Sequence, residues 1–125
     1  GDLTIAGDVN VSSDKRLKTA IESISAAMDI IGALDGKTYE WHDGRGGGSS
    51  QLGFVAQEVE TVLPGLVSES QSGTKSVNYL GVIPVLVNAL KEQQATWDVQ
   101  QREIQHLSEE LAAQRALIQA LSDPQ

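Results

Sequence analysis

Ser13 and Lys18 are the residues of this chain whose types and spacing could break a bond. They sit five positions apart in "SSDKRLK", residues 12–18. A serine hydroxyl is a poor nucleophile until a base takes its proton. Where no histidine is at hand a neutral lysine amine can do so, as in the Ser-Lys variants of serine catalysis. Lysine side chains ordinarily keep their proton up to a pH of about 10.4. Burial against apolar neighbours lowers that limit, and Leu17 and Ile21 are the local candidates for it. The carbonyl just ahead of the hydroxyl is that of Ser12, so the bond within reach is Ser12–Ser13 of the same chain. Spacing alone favours a plainer reading. Ser13 then caps a helix and Asp14 sits at the positive end of its dipole.

Composition closes most other routes. The chain has 125 residues, no cysteine, two histidines and a formal net charge of −8. Without cysteine there is no disulfide, no thiolate catalysis and no Cys-ligated zinc. His42 lies in the glycine-rich "HDGRGGGSS" and His106 on a polar helical face. Neither has a second ligand at metal spacing, so no metal or other cofactor is expected. The glycines of residues 44–48 lack the Gly-Lys-Ser/Thr ending of a phosphate loop. Glu58/Glu60 and Glu109/Glu110 read as solvated acidic faces. A pI of about 4.5 argues against nucleic acid or an anionic membrane as partner, since both need a basic face. No apolar run approaches the roughly 20 residues of a membrane span.

The elements that must position the serine and lysine follow from hydrophobic period. In "LTIAGDVNV" (3–11) Leu3, Ile5, Val9 and Val11 alternate around Gly7-Asp8. This predicts short strands, the last rungs of a longer upstream β-structure, and a chain that starts within a protein. From Ser13 the period changes. Leu17, Ile21, Ile24, Met28 and Ile31 make one apolar stripe on a helix of about 20 residues, closed by Asp35-Gly36. "KTYEW" (37–41) and "QLGFVA" (51–56) predict a hairpin with a long mobile tip at 42–50. Residues 57–63 predict a short helix ended by Pro64-Gly65. "LVSES" and "KSVNY" flank "QSGT" as a second hairpin.

The remainder reads as one long helix. Asn78 is placed to cap a helical turn, and Pro84 either kinks the helix or starts it. Leu90, Trp97, Ile104, Leu111 and Ile118 recur every seven residues, with Leu107 and Leu121 three positions after Ile104 and Ile118. These are the a and d positions of a coiled coil, with polar Gln93, Gln100 and Gln114 at the other d positions. Glutamine there weakens the seam and can fix register and copy number. A helix of roughly 55 Å outreaches any globule this chain could form, so other copies of itself are the expected partner.

Several stretches also occur together in a known order: "SSDKRLKTAI", "YEW", "LGFVAQEVETVLPGLV", "VNYLGVIPVLVNALKE" and a terminal coiled coil. In them the chain resembles the C-terminal intramolecular chaperone domains of bacteriophage tail spikes and tail fibres, endosialidases among them (the peptidase S74 group). Related domains occur in membrane-tethered myelin regulatory transcription factors. The resemblance covers residues 12 to 95 in motif and the rest in character. It implies an α+β fold with N-terminal short strands, a helix, two β-hairpins and a long C-terminal helix forming a parallel trimeric coiled coil. Residues 1–12 would end the upstream β-stalk, 13–83 form the chaperone and autoprotease domain, and 84–125 the coiled-coil helix. The implied partners are two further copies, in a homotrimer, and the stalk of the same polypeptide.

The resemblance also implies a sequence of events. The trimer registers the upstream strands in the host cytoplasm, and the domain then cuts itself off at Ser12–Ser13. Ser13 would be the nucleophile and Lys18 the base, and the mature fibre would go to the virion tail. Asp14 and Arg16 match further motif positions and are expected to orient the helix start or the neighbouring chain. Gln57 and Glu58 match the Ala-Gln-Glu part as supporting candidates, and residues 41–51 match a hairpin that grips the stalk. Two readings compete with this one: a trimerisation module that never cuts, with Ser13 as a cap, and an acidic tip that binds a receptor.

Overall fold

Small side chains organise the contact at the centre of this chain. The computed structural model describes residues 2–123. It is α+β, with helices α1 (Ala27–Ala33), α2 (Ala56–Val62) and α3 (Val82–Ser122). Strands β1 (Lys37–Tyr39) and β2 (Gln51–Gly53) form one antiparallel sheet, and β3 (Val67–Glu69) and β4 (Lys75–Val77) another. Helix α1 lies on the first turns of α3, where Ala27 (0% exposed), Val85 (3%) and Ala89 (8%) meet. Alanine at two of these three places lets the helix backbones approach closely. Ile30, Ile31 and Leu63 pack around the contact.

Both predicted hairpins form. Lys37 pairs with Gly53 and Tyr39 with Gln51 in the first; Val67 pairs with Val77 and Glu69 with Lys75 in the second. Glu69 opposite Lys75 sets unlike charges across the strands. The first hairpin's tip is not an unstructured loop. It winds into a tight turn at Arg45–Gly48, and Gly44, Gly46, Gly47 and Gly48 all have φ between 65° and 77°. Side chains with a Cβ avoid that region, which is why this turn is written in glycine.

Helix α3 is 41 residues long, or about 60 Å. Asn78 caps the 3-10 turn Tyr79–Gly81 just before it, its side-chain oxygen accepting from the Gly81 amide at 3.4 Å. Pro84 falls at the third position, where an N–H would have no intrahelical partner anyway, and the helix runs on through it.

Two expectations are corrected. Residues 3–11 form no strand, because a strand is completed by hydrogen bonds from a neighbour and the single chain brings none to this arm. The helix expected from Ser13 to Leu34 reduces to a 3-10 turn at Lys15–Leu17 and the seven residues of α1. A short amphipathic helix owes its stability to packing of its apolar face, and α3 receives only the Ala27–Ala33 part. Leu17 (76% exposed) and Ile21 (61%) have nothing over them.

The surface of the chain reflects this. Its accessible area is 10601 Å², whereas a compact monomer of 13.3 kDa exposes roughly 6,500 Å². Ala27 is fully buried against Val85 and Ala89, so Ala27→Leu should lower stability by about 1–3 kcal/mol in a urea melt. An unshifted midpoint would contradict the packing described.

Candidate functional site

Residues 12–18 build the site from one turn. Asp14 has extended backbone and caps the 3-10 turn: its Oδ1 accepts from the Arg16 amide at 2.9 Å. The Leu17 amide donates to the Asp14 carbonyl (3.0 Å) and the Lys18 amide to the Lys15 carbonyl (3.1 Å). Asp14 thus does what spacing alone had given to Ser13. The serine hydroxyl is left without a capping role, and the turn carries Lys18 back over it. Lys18 Nζ donates to Ser13 Oγ at 2.6 Å.

Charge is sorted over the same few residues. The Arg16 guanidinium takes the Asp14 carboxylate through two nitrogens, Nη2 to Oδ2 at 2.8 Å and Nε to Oδ1 at 3.1 Å. This fork-on-fork pairing keeps Asp14 for Arg16 and leaves the Lys18 amine to the serine. Both Ser13 and Lys18 are exposed to solvent in the single chain.

The other expected site residues lie elsewhere. Gln57 and Glu58 open helix α2. Glu58 Oε1 is 3.4 Å from Lys37 Nζ, which also binds Asp35 at 2.6 Å. Asp35, then Glu58, raise the pKa of that lysine. Among the described residues no hydrogen bond joins Gln57 or Glu58 to Ser13 or Lys18. Gln57 instead lines a cleft of about 540 Å³ with Tyr39, Trp41, Phe54, Val77 and Tyr79.

Sequence reasoning missed this cleft, although it holds four of the five aromatic residues of the chain. The signal was their position at the hairpin ends. Phe54 and Tyr79 stack with ring centres 5.6 Å apart, and Tyr39 meets Trp41 edge-on at 5.2 Å. The Phe54 amide donates to the Tyr79 hydroxyl at 3.0 Å. A Cβ on Gly53 would lie 2.6 Å from that hydroxyl, so only glycine fits the strand there. Arg45, in the hairpin tip, stacks over Trp41 at 4.4 Å and pairs with Asp43 at 2.8 Å.

The heptad residues Leu90, Trp97, Ile104, Leu107, Leu111, Ile118 and Leu121 are all half exposed or more along α3, apart from Leu111 at 49%. Off the stripe, Gln94, Gln105 and Gln119 each donate to an acid four residues on. His106 lies 3.2 Å from Glu110. Gln93, Gln100 and Gln114 on the stripe have Trp97, Ile104 and Ile118 at that spacing, which offer no acceptor.

Asp14 is held below its ordinary value of 3.8, first by the Arg16 side chain and then by the Arg16 amide. A carboxyl depressed by folding adds stability above its unfolded pKa, and that stability is lost as pH falls through the folded value. The turn should therefore hold at neutral pH and loosen below the usual aspartate range. In an NMR titration Arg16→Ala should move the Asp14 midpoint up towards 3.8; an unmoved midpoint would rule out the pairing.

With this geometry in hand, comparison with known proteins gives consistent matches. Residues 13–68 match the family model described as chaperone of endosialidase, peptidase S74. The long tail fiber protein Gp37 of Salmonella phage S16 is 35% identical over 123 residues, covering 92% of this chain and 16% of that protein. The protein of the same name from Escherichia phage AR1 is 32% identical over 96 residues, covering 71% of this chain and 9% of that protein. That from Enterobacteria phage K3 is 35% identical over 92 residues, covering 69% and 7%. The chain spans about a sixth or less of the length of these relatives. Its first matched residue, Ser13, is the one on which the Lys18 amine rests, and it is through residues 13–68 that the chain matches the chaperone-of-endosialidase family.

Proposed function

We propose that this chain is the assembly chaperone of a phage fibre, that it works as a homotrimer joined along α3, and that it frees itself by cutting Ser12–Ser13. The observation carrying this reading is the 2.6 Å contact of Lys18 Nζ with a serine hydroxyl that has no capping duty. With the amine neutral, the same contact runs the other way. The Ser13 hydroxyl gives its proton to Nζ as Oγ attacks the carbonyl carbon of Ser12. The tetrahedral intermediate collapses and expels the Ser13 nitrogen, which takes the proton from Nζ. An ester then joins the Ser12 carbonyl to Ser13 Oγ. Water, with Lys18 again as base, hydrolyses that ester to a Ser12 carboxylate and a free Ser13 hydroxyl and amine.

The trimer supplies what the single chain lacks. The exposed stripe from Leu90 to Leu121 is its seam, and chain surface in excess of a compact monomer by roughly 4,000 Å² is what it covers. Assembly also covers Leu17 and Ile21 beside Lys18, where desolvation favours the amine that a base must be. Residues 1–12 then end the stalk, 13–83 form the cutting and chaperone unit, and 84–125 the coiled-coil helix. Gp37 relatives bear the name of long tail fibre proteins, which fits a fibre as the client. Intertwined fibre chains have high contact order and fold slowly unless their ends are held in register. Coiled-coil pairing is local and fast, and removal of the guide afterwards leaves the fibre kinetically trapped. Assembly takes place in the host cytoplasm, and the fibre left behind belongs to the virion tail.

A second reading, a trimerisation module that never cuts, is favoured by the solvent exposure of Ser13 and Lys18 in the single chain. Denaturing gels of the protein made with its upstream stalk separate the two. The self-cleaving chain releases a fragment beginning at Ser13. Ser13→Ala releases none, and Lys18→Ala releases it about 10²–10⁴-fold more slowly. Intact chains in every sample would leave the scaffold reading standing. Sedimentation should give three chains, and polar replacement of Ile104 and Leu111 together should yield monomers that no longer cut; a wild-type monomer at every concentration would end the trimer reading.

A further inference from the structure

Residues 19–26 separate the Ser13–Lys18 turn from the helices, and two positions in that stretch hold an unusual backbone. Ala20 and Ala26 have φ of 51° and 53°, a left-handed conformation that residues with a Cβ avoid unless their surroundings impose it. At Ala26 the surroundings are two side chains of α3. Asn88 Nδ2 donates to the Ile24 carbonyl at 3.0 Å. On the far side of the bend, the Met28 amide donates to Glu92 Oε2 at 2.7 Å. Asn88 and Glu92 are one turn apart and share a helix face.

Helix α1 has no side-chain cap of its own, since Ala26 stands at its cap position. The Glu92 carboxylate provides the missing acceptor from 64 residues away, at the end of the helix where a negative charge is favoured. Among the described residues, the Asn88 bond is the one hydrogen bond between residues 2–26 and any element beyond α1. The seam residues Leu90 and Gln93 stand on the same two turns of α3.

We infer that Asn88 and Glu92 are positioning residues, clamping the bend at Ala26 so that alignment of α3 in the assembly sets where the Ser13–Lys18 turn lies. Neither touches the reacting atoms. The inference rests on the self-cleavage reading, and it names the route by which assembly governs that site. The clamp holds one carbonyl and one amide on opposite sides of a strained residue, so loss of either grip lets the bend relax and the arm swing.

Hydrogen exchange and cleavage together test it on the protein made with its upstream stalk. In a Ser13→Ala background, Glu92→Ala should speed exchange at the Met28 amide and through residues 19–28 by about tenfold or more. The α3 amides beyond residue 96 and the sedimentation should be unchanged. Glu92→Gln keeps an oxygen that accepts from Met28 and should restore slow exchange. With Ser13 intact, Glu92→Ala and Asn88→Ala should each slow cutting by about tenfold or more, as a misplaced nucleophile does; Glu92→Gln should cut at close to the wild-type rate. Unchanged exchange at Met28 in Glu92→Ala would overturn the clamp. Faster exchange with an unchanged cutting rate would overturn the coupling. A wild-type chain that never cuts overturns the self-cleavage reading and the coupling with it, while the exchange result still decides the clamp.

Discussion

An apolar stripe on a 41-residue helix with too little of its own chain to cover it is the constraint on which everything else in this molecule depends. Helix α1 covers the first turns of α3 at Val85 and Ala89, and from Leu90 onwards the stripe faces water. The excess surface of roughly 4,000 Å² is several times the ~800 Å² that each partner contributes to a standard interface. The proposed trimer is what would cover such a surface. The unpaired arm of residues 3–11 and the exposed Leu17 and Ile21 belong to the same deficit, since they too have surfaces that only a neighbour could cover.

Within that incomplete frame the Ser13–Lys18 turn is locally finished. Asp14 caps, Arg16 neutralises Asp14, and Lys18 is returned to the serine by a single 3-10 turn. No distant residue is needed for any of these contacts, so the pair can exist before assembly. What the proposed reaction lacks in the single chain is burial, since Ser13 and Lys18 are both exposed there. A site preformed in geometry and deficient in burial is suited to waiting. In the proposed trimer the chemistry follows assembly for this physical reason, and it needs no separate signal.

Two small packed regions share the remaining work. The α1–α3 contact is built from alanine and valine and holds the bend at Ala26 through Asn88 and Glu92. The hairpin ends gather Tyr39, Trp41, Phe54 and Tyr79 around a cleft that includes Gln57. Arg45 folds the glycine-rich tip back onto Trp41, so the tip has a defined shape.

Local chemistry made much of this readable from the residues alone. Alternation and turn residues placed both hairpins, Pro64 ended the short helix, and the seven-residue repeat marked the stripe on α3. The five-residue interval from Ser13 to Lys18 allowed the contact that the fold makes. Other features were not legible from residue type and spacing alone. Ser13 and Asp14 are both good caps by type, and the choice of Asp14 depended on where the backbone turned extended. The stripe from Leu17 to Ile31 has helical period, yet only its last part finds α3 to pack on, so residues 18–26 bend instead. No rule of spacing connects Glu92 with Met28 or Phe54 with Tyr79. The sequence by itself determined the contacts made within a turn or a hairpin, because their energies lie within a few residues; the tertiary structure decided which apolar faces found a partner, because burial depends on what the rest of the chain brings alongside.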